Sequence, residues 1–299
     1  MKHFFITSII VLFGVIAHAQ TKLEYKLKPN DVYSYASSTK SKQTITMMGN
    51  ENTTSANATS TLNIQVQSVD ASGIVAKVTP GEQTIDVKGM GMMGMADTTL
   101  TVKNEDVYET ITFTTDGNVK SQVSEKGKSA NIRTPAARIA SQVASGGALS
   151  KMLILDYTGS KLEKGASWTK QMNDTNKMGE NGEGGKIITT SSMKYTFDGM
   201  VDTLGMKCAR ILIRSEKLII DGTVMQMGNE LSMAGDGIVK GVGYVELATG
   251  MQVSSQVKTE LDQRLSMTQP MQMEIPMAID VDATFSRVMA SKQPPAKKK

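Results

Sequence analysis

Two runs of fifteen residues near the C-terminus constrain this chain more than any other feature. Val253, Ser255, Val257, Thr259, Leu261, Gln263, Leu265 and Met267 alternate with Ser254, Gln256, Lys258, Glu260, Asp262, Arg264 and Ser266. After Thr268-Gln269-Pro270, Met271, Met273, Ile275, Met277, Ile279, Val281, Ala283 and Phe285 alternate with Gln272, Glu274, Pro276, Ala278, Asp280, Asp282 and Thr284. Successive side chains of a strand point to opposite faces, so each run reads as one half-buried strand, and the pair as an antiparallel hairpin. At about 3.3 Å per residue each strand would be roughly 50 Å long, well beyond the usual 17–20 Å. Strands of that length predict a strongly twisted sheet or an open barrel. Pro276 lacks a ladder donor, which predicts an edge strand there.

Turn chemistry extends the all-β expectation to the rest of the chain. Asp116-Gly117, Asp198-Gly199, Asp221-Gly222 and Asp236-Gly237 each stand between segments of strand character and read as short hairpin turns. Gly243 to Gly250 leads into the long run through a comparable turn. Two polar segments, Gly49 to Ser60 and Met172 to Lys186, read as loops. One helix is expected, with Thr134 as N-cap, Pro135 at the first turn, Ala136 to Val143 as body, and a stop at Gly146-Gly147.

The helix falls near the middle of the chain, which prompts a search for duplication. Gln122 and Gln256 stand in similar segments 134 apart, Tyr33 and Trp168 are 135 apart, and Gly73 and Gly205 are 132 apart. The expected organisation is a signal at 1–19, a first β unit at 20–125, a helical connection at 126–159, a related β unit at 160–290 and a disordered basic tail at 291–299. The fold class is therefore all-β with minor α, a large curved antiparallel sheet or open barrel with a helix at the crossover.

Lys2 and His3, the apolar run Phe4 to Ile16 and the small residues of Ala17-His18-Ala19 read as a secretory signal cleaved after Ala19, which predicts a periplasmic or secreted protein. His3 and His18 are the only histidines in 299 residues. The exported chain would lack imidazole, which excludes Ser-His-Asp and Cys-His nucleophile systems and His-ligated zinc. The single Cys208 reads as a small buried apolar residue. A formal charge of +4, or +3 once Lys2 is removed, gives no basic face for nucleic acid. Beyond the signal no apolar run approaches the roughly 18 residues of a membrane span.

Methionine, at 22 residues, is the compositional outlier. Met271, Met273 and Met277 share the alternation of Ile275 and Ile279 and read as part of the sheet's apolar face. Met90, Met92, Met93 and Met95, set among Gly89, Gly91 and Gly94, have no period. They read as a lid over an apolar cavity, as packing, or as a thioether loop for Cu(I). Gly89 to Gly94 matches G-x-G-x-x-G, yet a turn and a strand follow where a dinucleotide site needs a helix. Carboxylates such as Glu105, Asp106, Glu109, Glu260 and Asp262 alternate with cations and read as solvated faces rather than a glycosidase pair. The tail's Lys297-Lys298-Lys299 reads as solubilising.

The Lys28 to Tyr33 entry, the Gly73 and Gly205 hairpins and the closing Gly250 to Val257 strand resemble an uncharacterised family of exported proteins from Bacteroidota-type bacteria, a domain of unknown function. These are strand and turn patterns, so the resemblance implies no catalytic residue. The architecture is also similar to the half-barrels of periplasmic lipoprotein carriers. The expected function is a non-catalytic binding protein without cofactor or metal, holding an apolar or lipid-like ligand on a concave β face. Its lining would be Leu261, Leu265, Met267, Met271, Met273, Ile275, Met277 and Ile279, with Met90, Met92, Met93 and Met95 as a lid. The alternatives are a structural or interaction module of the envelope and a Met-based Cu(I) binding protein.

Overall fold

The computed structural model describes residues 22–47, 49–89, 96–102, 108–125, 154–178, 184–226, 229–267 and 273–289. Among them twelve strands form one antiparallel sheet: β1 (Val32–Met47), β2 (Asn50–Asp70), β3 (Gly73–Lys88), β4 (Thr98–Val102), β5 (Tyr108–Phe113), β6 (Val119–Glu125), β7 (Ser167–Met178), β8 (Gly185–Thr203), β9 (Met206–Gln226), β10 (Asn229–Glu246), β11 (Gln252–Met267) and β12 (Met273–Arg287). Their order is β6-β5-β3-β2-β1-β12-β11-β10-β9-β8-β7, with β4 added on β3. No helix occurs among the described residues; the segment expected to be helical, 134–143, lies outside them, as do the signal at 1–19 and the tail at 291–299.

The predicted hairpin at the C-terminus is present, with Leu261 opposite Ile279, Leu265 opposite Ile275 and Met267 opposite Met273. Its position in the sheet differs from expectation. β12 is central, flanked by β11 and β1, so Pro276 does not mark an edge strand. The proline is tolerated because the β1–β12 pairing ends at Ile45 and Met277, one residue before Pro276. A missing N–H therefore costs little at that point.

Three Asp-Gly pairs also behave differently from expectation. Asp198-Gly199, Asp221-Gly222 and Asp236-Gly237 lie inside β8, β9 and β10 rather than at turns. Gly199 follows a register shift, and Gly237 lies so close to β11 that a Cβ there would sit 2.4 Å from the Glu260 carbonyl and 2.5 Å from Leu261 Cδ2. Glycine in these long strands permits irregularity and close backbone approach instead of reversal. Of the four pairs, only Asp116-Gly117 joins two strands, β5 and β6. The segments 50–60 and 172–178, expected as loops, are strand; in the first, only the small residues Ala56 and Ala58 face the core side of β2, which leaves little hydrophobic contrast.

The two faces of the sheet differ in chemistry. One row of register partners, running from β7 to β4, reads Trp168, Tyr195, Ile213, Gly241, Val257, Ala283, Thr39, Ala58, Ile85 and Leu100. The row one residue away reads Thr169, Lys194, Arg214, Lys240, Lys258, Asp282, Lys40, Asn57, Asp86 and Thr99. Strand pleating places the first row on the core side and the second on the opposite side.

Two irregular segments, 22–27 and 154–160, sit against the apolar side at one end of the sheet. Leu23, Tyr25, Leu27, Ile154, Leu155 and Tyr157 are all buried there with Phe113, Trp168, Tyr195 and Ile211. The Tyr157 N–H donates to the Asp116 carbonyl beside β5 at 2.6 Å, while Trp168 Nε1 of β7 donates to the Asp156 carbonyl at 2.8 Å. Strands β6 and β7 are the two ends of the sheet's order and would be about 48 Å apart in a flat sheet at 4.8 Å per strand. Adjacent residues 156 and 157 reach both flanks, so the sheet curls around this plug and puts its apolar side on the inside.

Candidate ligand-binding face

Above the plug the apolar side continues along the strands, with Ala56, Ile85, Val87 and Leu231 buried on the flanking strands. On β11 and β12 the core cluster reaches Val257 and Phe285, and the apolar positions go on to Met267 and Met273. From Val257 to Met267 is about 33 Å of strand. Leu261, Leu265, Met267, Met273, Ile275 and Ile279 are half-buried, in contrast to the plug residues beneath them. Met277 is the exception at 7% exposed, and Gln43 Nε2 lies 3.2 Å from its sulfur.

Neighbouring strands widen this strip. Leu231 and Met233 of β10 stand opposite Met267 and Leu265, and Gly237 stands opposite Leu261. Ile45 of β1 stands opposite Met277, and Gln43 opposite Ile279. The arrangement offers branched and thioether surface with two amides, Gln43 and Gln263, and no titratable pair. Seven of the eight expected β11 and β12 lining residues thus share one face. Met271, the eighth, and Met90, Met92, Met93 and Met95 lie outside the described residues.

The strongest electrostatic features lie at the plug end, and sequence reasoning missed them. Arg287 Nη1 donates to Glu246 Oε2 at 2.8 Å, and Nη2 donates to the carbonyls of Met251 and Gln252. Burial pushes Tyr33, Tyr35 and Tyr195 up to about 12 and raises Tyr25 and Tyr157 well above the ordinary phenol range. The available signal was the alternation Leu23, Tyr25, Leu27, too short to stand out beside the long runs.

A cleft of about 720 Å³ lies against the charged side, bordered by Glu51, Asp221, Asp236, Asp262, Arg264 and Pro276. Of the expected lining only Met277 borders it. Among the described residues no three His, Cys, Asp or Glu side chains gather as a metal-holding group. Cys208 is buried and unpaired, and burial raises its thiol above the ordinary range.

No family model and no curated protein matches this chain. Among solved structures it is similar to an outer membrane channel from Pseudomonas putida F1, at 8% identity and a TM-score of 0.23, over 87% of this chain and 97% of that one. It is also similar to OccK2 (OpdF) from Pseudomonas aeruginosa, at 6% identity and a TM-score of 0.25, over 87% and 98%. A third similarity is to a DUF1329 family protein from Desulfovibrio piger, at 8% identity and a TM-score of 0.15, over 86% and 87%. Likenesses this distant assign neither fold family nor function. Among the described residues no helix is long and apolar enough to cross a membrane.

Proposed function

We propose that this is an exported, non-catalytic binding protein of the bacterial envelope that holds an apolar or amphipathic, lipid-like molecule on the inner side of its curled sheet. The observation that carries the reading is the half-buried apolar strip of Leu261, Leu265, Met267, Met273, Ile275 and Ile279 above the plug. Burying an apolar chain there would gain about 25 cal/mol per Å² removed from water. A flexible thioether surface suits ligands of variable shape. Export is supported by the signal-like residues 1–19, and the absence of histidine after His18 supports binding over hydrolysis.

The charged row on the other side supports a protein that does not span a bilayer as a barrel. A lipid-facing band needs apolar outward residues, whereas Lys194, Arg214, Lys240 and Lys258 occupy that side. The two related β units also belong to this reading. β1 to β6 and β7 to β12 each progress in the same direction along the strand order, as a tandem duplication would.

The test is fluorescence titration with N-phenyl-1-naphthylamine, a probe that brightens in apolar surroundings. Saturable brightening that is lost in a Leu261→Asp, Leu265→Asp variant of unchanged fold supports the site. Equal brightening in the variant contradicts it.

A further inference from the structure

The side of the sheet away from the plug carries an unusual row. Lys194 on β8, Arg214 on β9, Lys240 on β10 and Lys258 on β11 are direct register partners, one after another. Asp282 and then Lys40 continue the row onto β12 and β1. All four cations of the run are exposed. Directly opposite like charges destabilise a sheet, so four in succession are held against a cost.

Local carboxylates offset that cost at one end only. Lys258 Nζ is 2.7 Å from Glu260 Oε1, and Glu260 also feels Lys240. Among the described residues Lys194 and Arg214 have no carboxylate within ion-pairing distance. Two large apolar side chains flank the cations on the same side. Leu212, two residues before Arg214, is 38% exposed, and Ile238, two residues before Lys240, is 42% exposed. The row does not lie in the acid-bordered cleft, which takes none of these six residues.

We infer that Lys194, Arg214, Lys240 and Lys258, with Leu212 and Ile238, form a docking surface for an anionic lipid bilayer. Charge complementarity identifies the sign of the partner: a sheet of anionic headgroups relieves the repulsion that no neighbouring carboxylate relieves at Lys194 and Arg214. The exposed leucine and isoleucine favour a bilayer over a soluble polyanion, because only the bilayer offers apolar depth beneath the charge. The surface is on the side opposite the apolar strip and does not depend on the strip's ligand.

Flotation with vesicles of phosphatidylcholine and phosphatidylglycerol tests this, with pure phosphatidylcholine vesicles and soluble dextran sulfate as comparisons. The full chain is expected to float with the anionic vesicles, less so as salt rises, and not with the neutral ones. Arg214→Gln with Lys240→Gln is expected to weaken vesicle binding about tenfold or more, since each surface cation contributes about a factor of five. Leu212→Ser with Ile238→Ser is expected to weaken vesicle binding and leave dextran sulfate binding unchanged. Replacing Lys297, Lys298 and Lys299 by Gln is the control for the basic tail. Absence of anionic-vesicle binding overturns the inference, as does binding abolished by the tail variant but untouched by the Arg214 and Lys240 pair. Tighter binding to dextran sulfate than to vesicles, insensitive to Leu212 and Ile238, assigns the row to soluble polyanions and also overturns it. Removing like charges from a ladder should raise the thermal midpoint, so misfolding would be recognised as a fall.

Discussion

Arg287 and Glu246 form an ion pair of 2.8 Å with side chains only 9% and 16% exposed, and it binds the last residue of β12 to the last residue of β10 across β11. The guanidinium also lies 5.0 Å over the ring of Tyr33 and donates to the carbonyls of Met251 and Gln252, where β11 begins. Removing one partner strands a charge out of water. Glu246→Ala is expected to lower unfolding free energy by about 3 kcal/mol, measured by urea denaturation. Arg287→Lys should lose part of this, because an ammonium cannot reproduce the planar fork.

Two connecting glycines are built against the plug. A Cβ on Gly117 would meet the Leu155 carbonyl at 2.0 Å, and one on Gly250 would meet the Glu24 carbonyl at 2.2 Å, with φ of +84° and +74°. Gly117→Ala and Gly250→Ala should each cost about 2 kcal/mol or more. Gly165 has a similar φ of +88° with nothing within 4 Å, so Gly165→Ala should cost only about 1 kcal/mol. Equal losses at all three positions would remove the packing argument.

Trp168, the one tryptophan, stacks on Tyr195 at 5.5 Å and donates to the Asp156 carbonyl. Its emission should be blue-shifted in the native state and move red when the plug opens. Trp168→Phe keeps a ring but orphans the carbonyl, at an expected cost of about 1–3 kcal/mol. Emission typical of water-exposed indole in the folded protein would contradict the burial.

Tyrosine titration gives the pH dependence. Burial raises Tyr33, Tyr35 and Tyr195 from 10.0 to about 12, and lifts Tyr25 and Tyr157 as well. The folded state keeps these protons longer than the unfolded chain does. Their stabilising contribution is therefore complete below pH 10 and is lost as pH rises from about 10 through 12. Thermal midpoints should be insensitive to these groups near neutrality and fall above about pH 10. Ultraviolet titration should show five of seven tyrosines ionising late.

How much of this was legible follows residue chemistry. β11 and β12 were readable to within two residues because Leu, Ile, Met and Val alternate there with charged residues. β2 was hidden because Ala56, Ala58 and Ser60 face inward opposite Asn57 and Thr59, which gives a period-two pattern almost no contrast. The Asp-Gly pairs misled because a strand of 18 to 21 residues uses glycine for irregularity and close approach as well as for reversal. The shared face of β11 and β12 came from alternation, whereas the plug depends on residues 23–27 and 154–157 meeting across 130 positions, as when Tyr25 donates to the Leu155 carbonyl. Periodicity carries no such information.

Native mass spectrometry of the protein purified from its own host addresses the central claim most directly. Bound lipid-like molecules that leave when Leu261 and Leu265 become Asp, with β-sheet content unchanged, are the predicted result. A protein that emerges free of apolar ligand, or one that carries the same ligand with both substitutions in place, would contradict the proposed binding face.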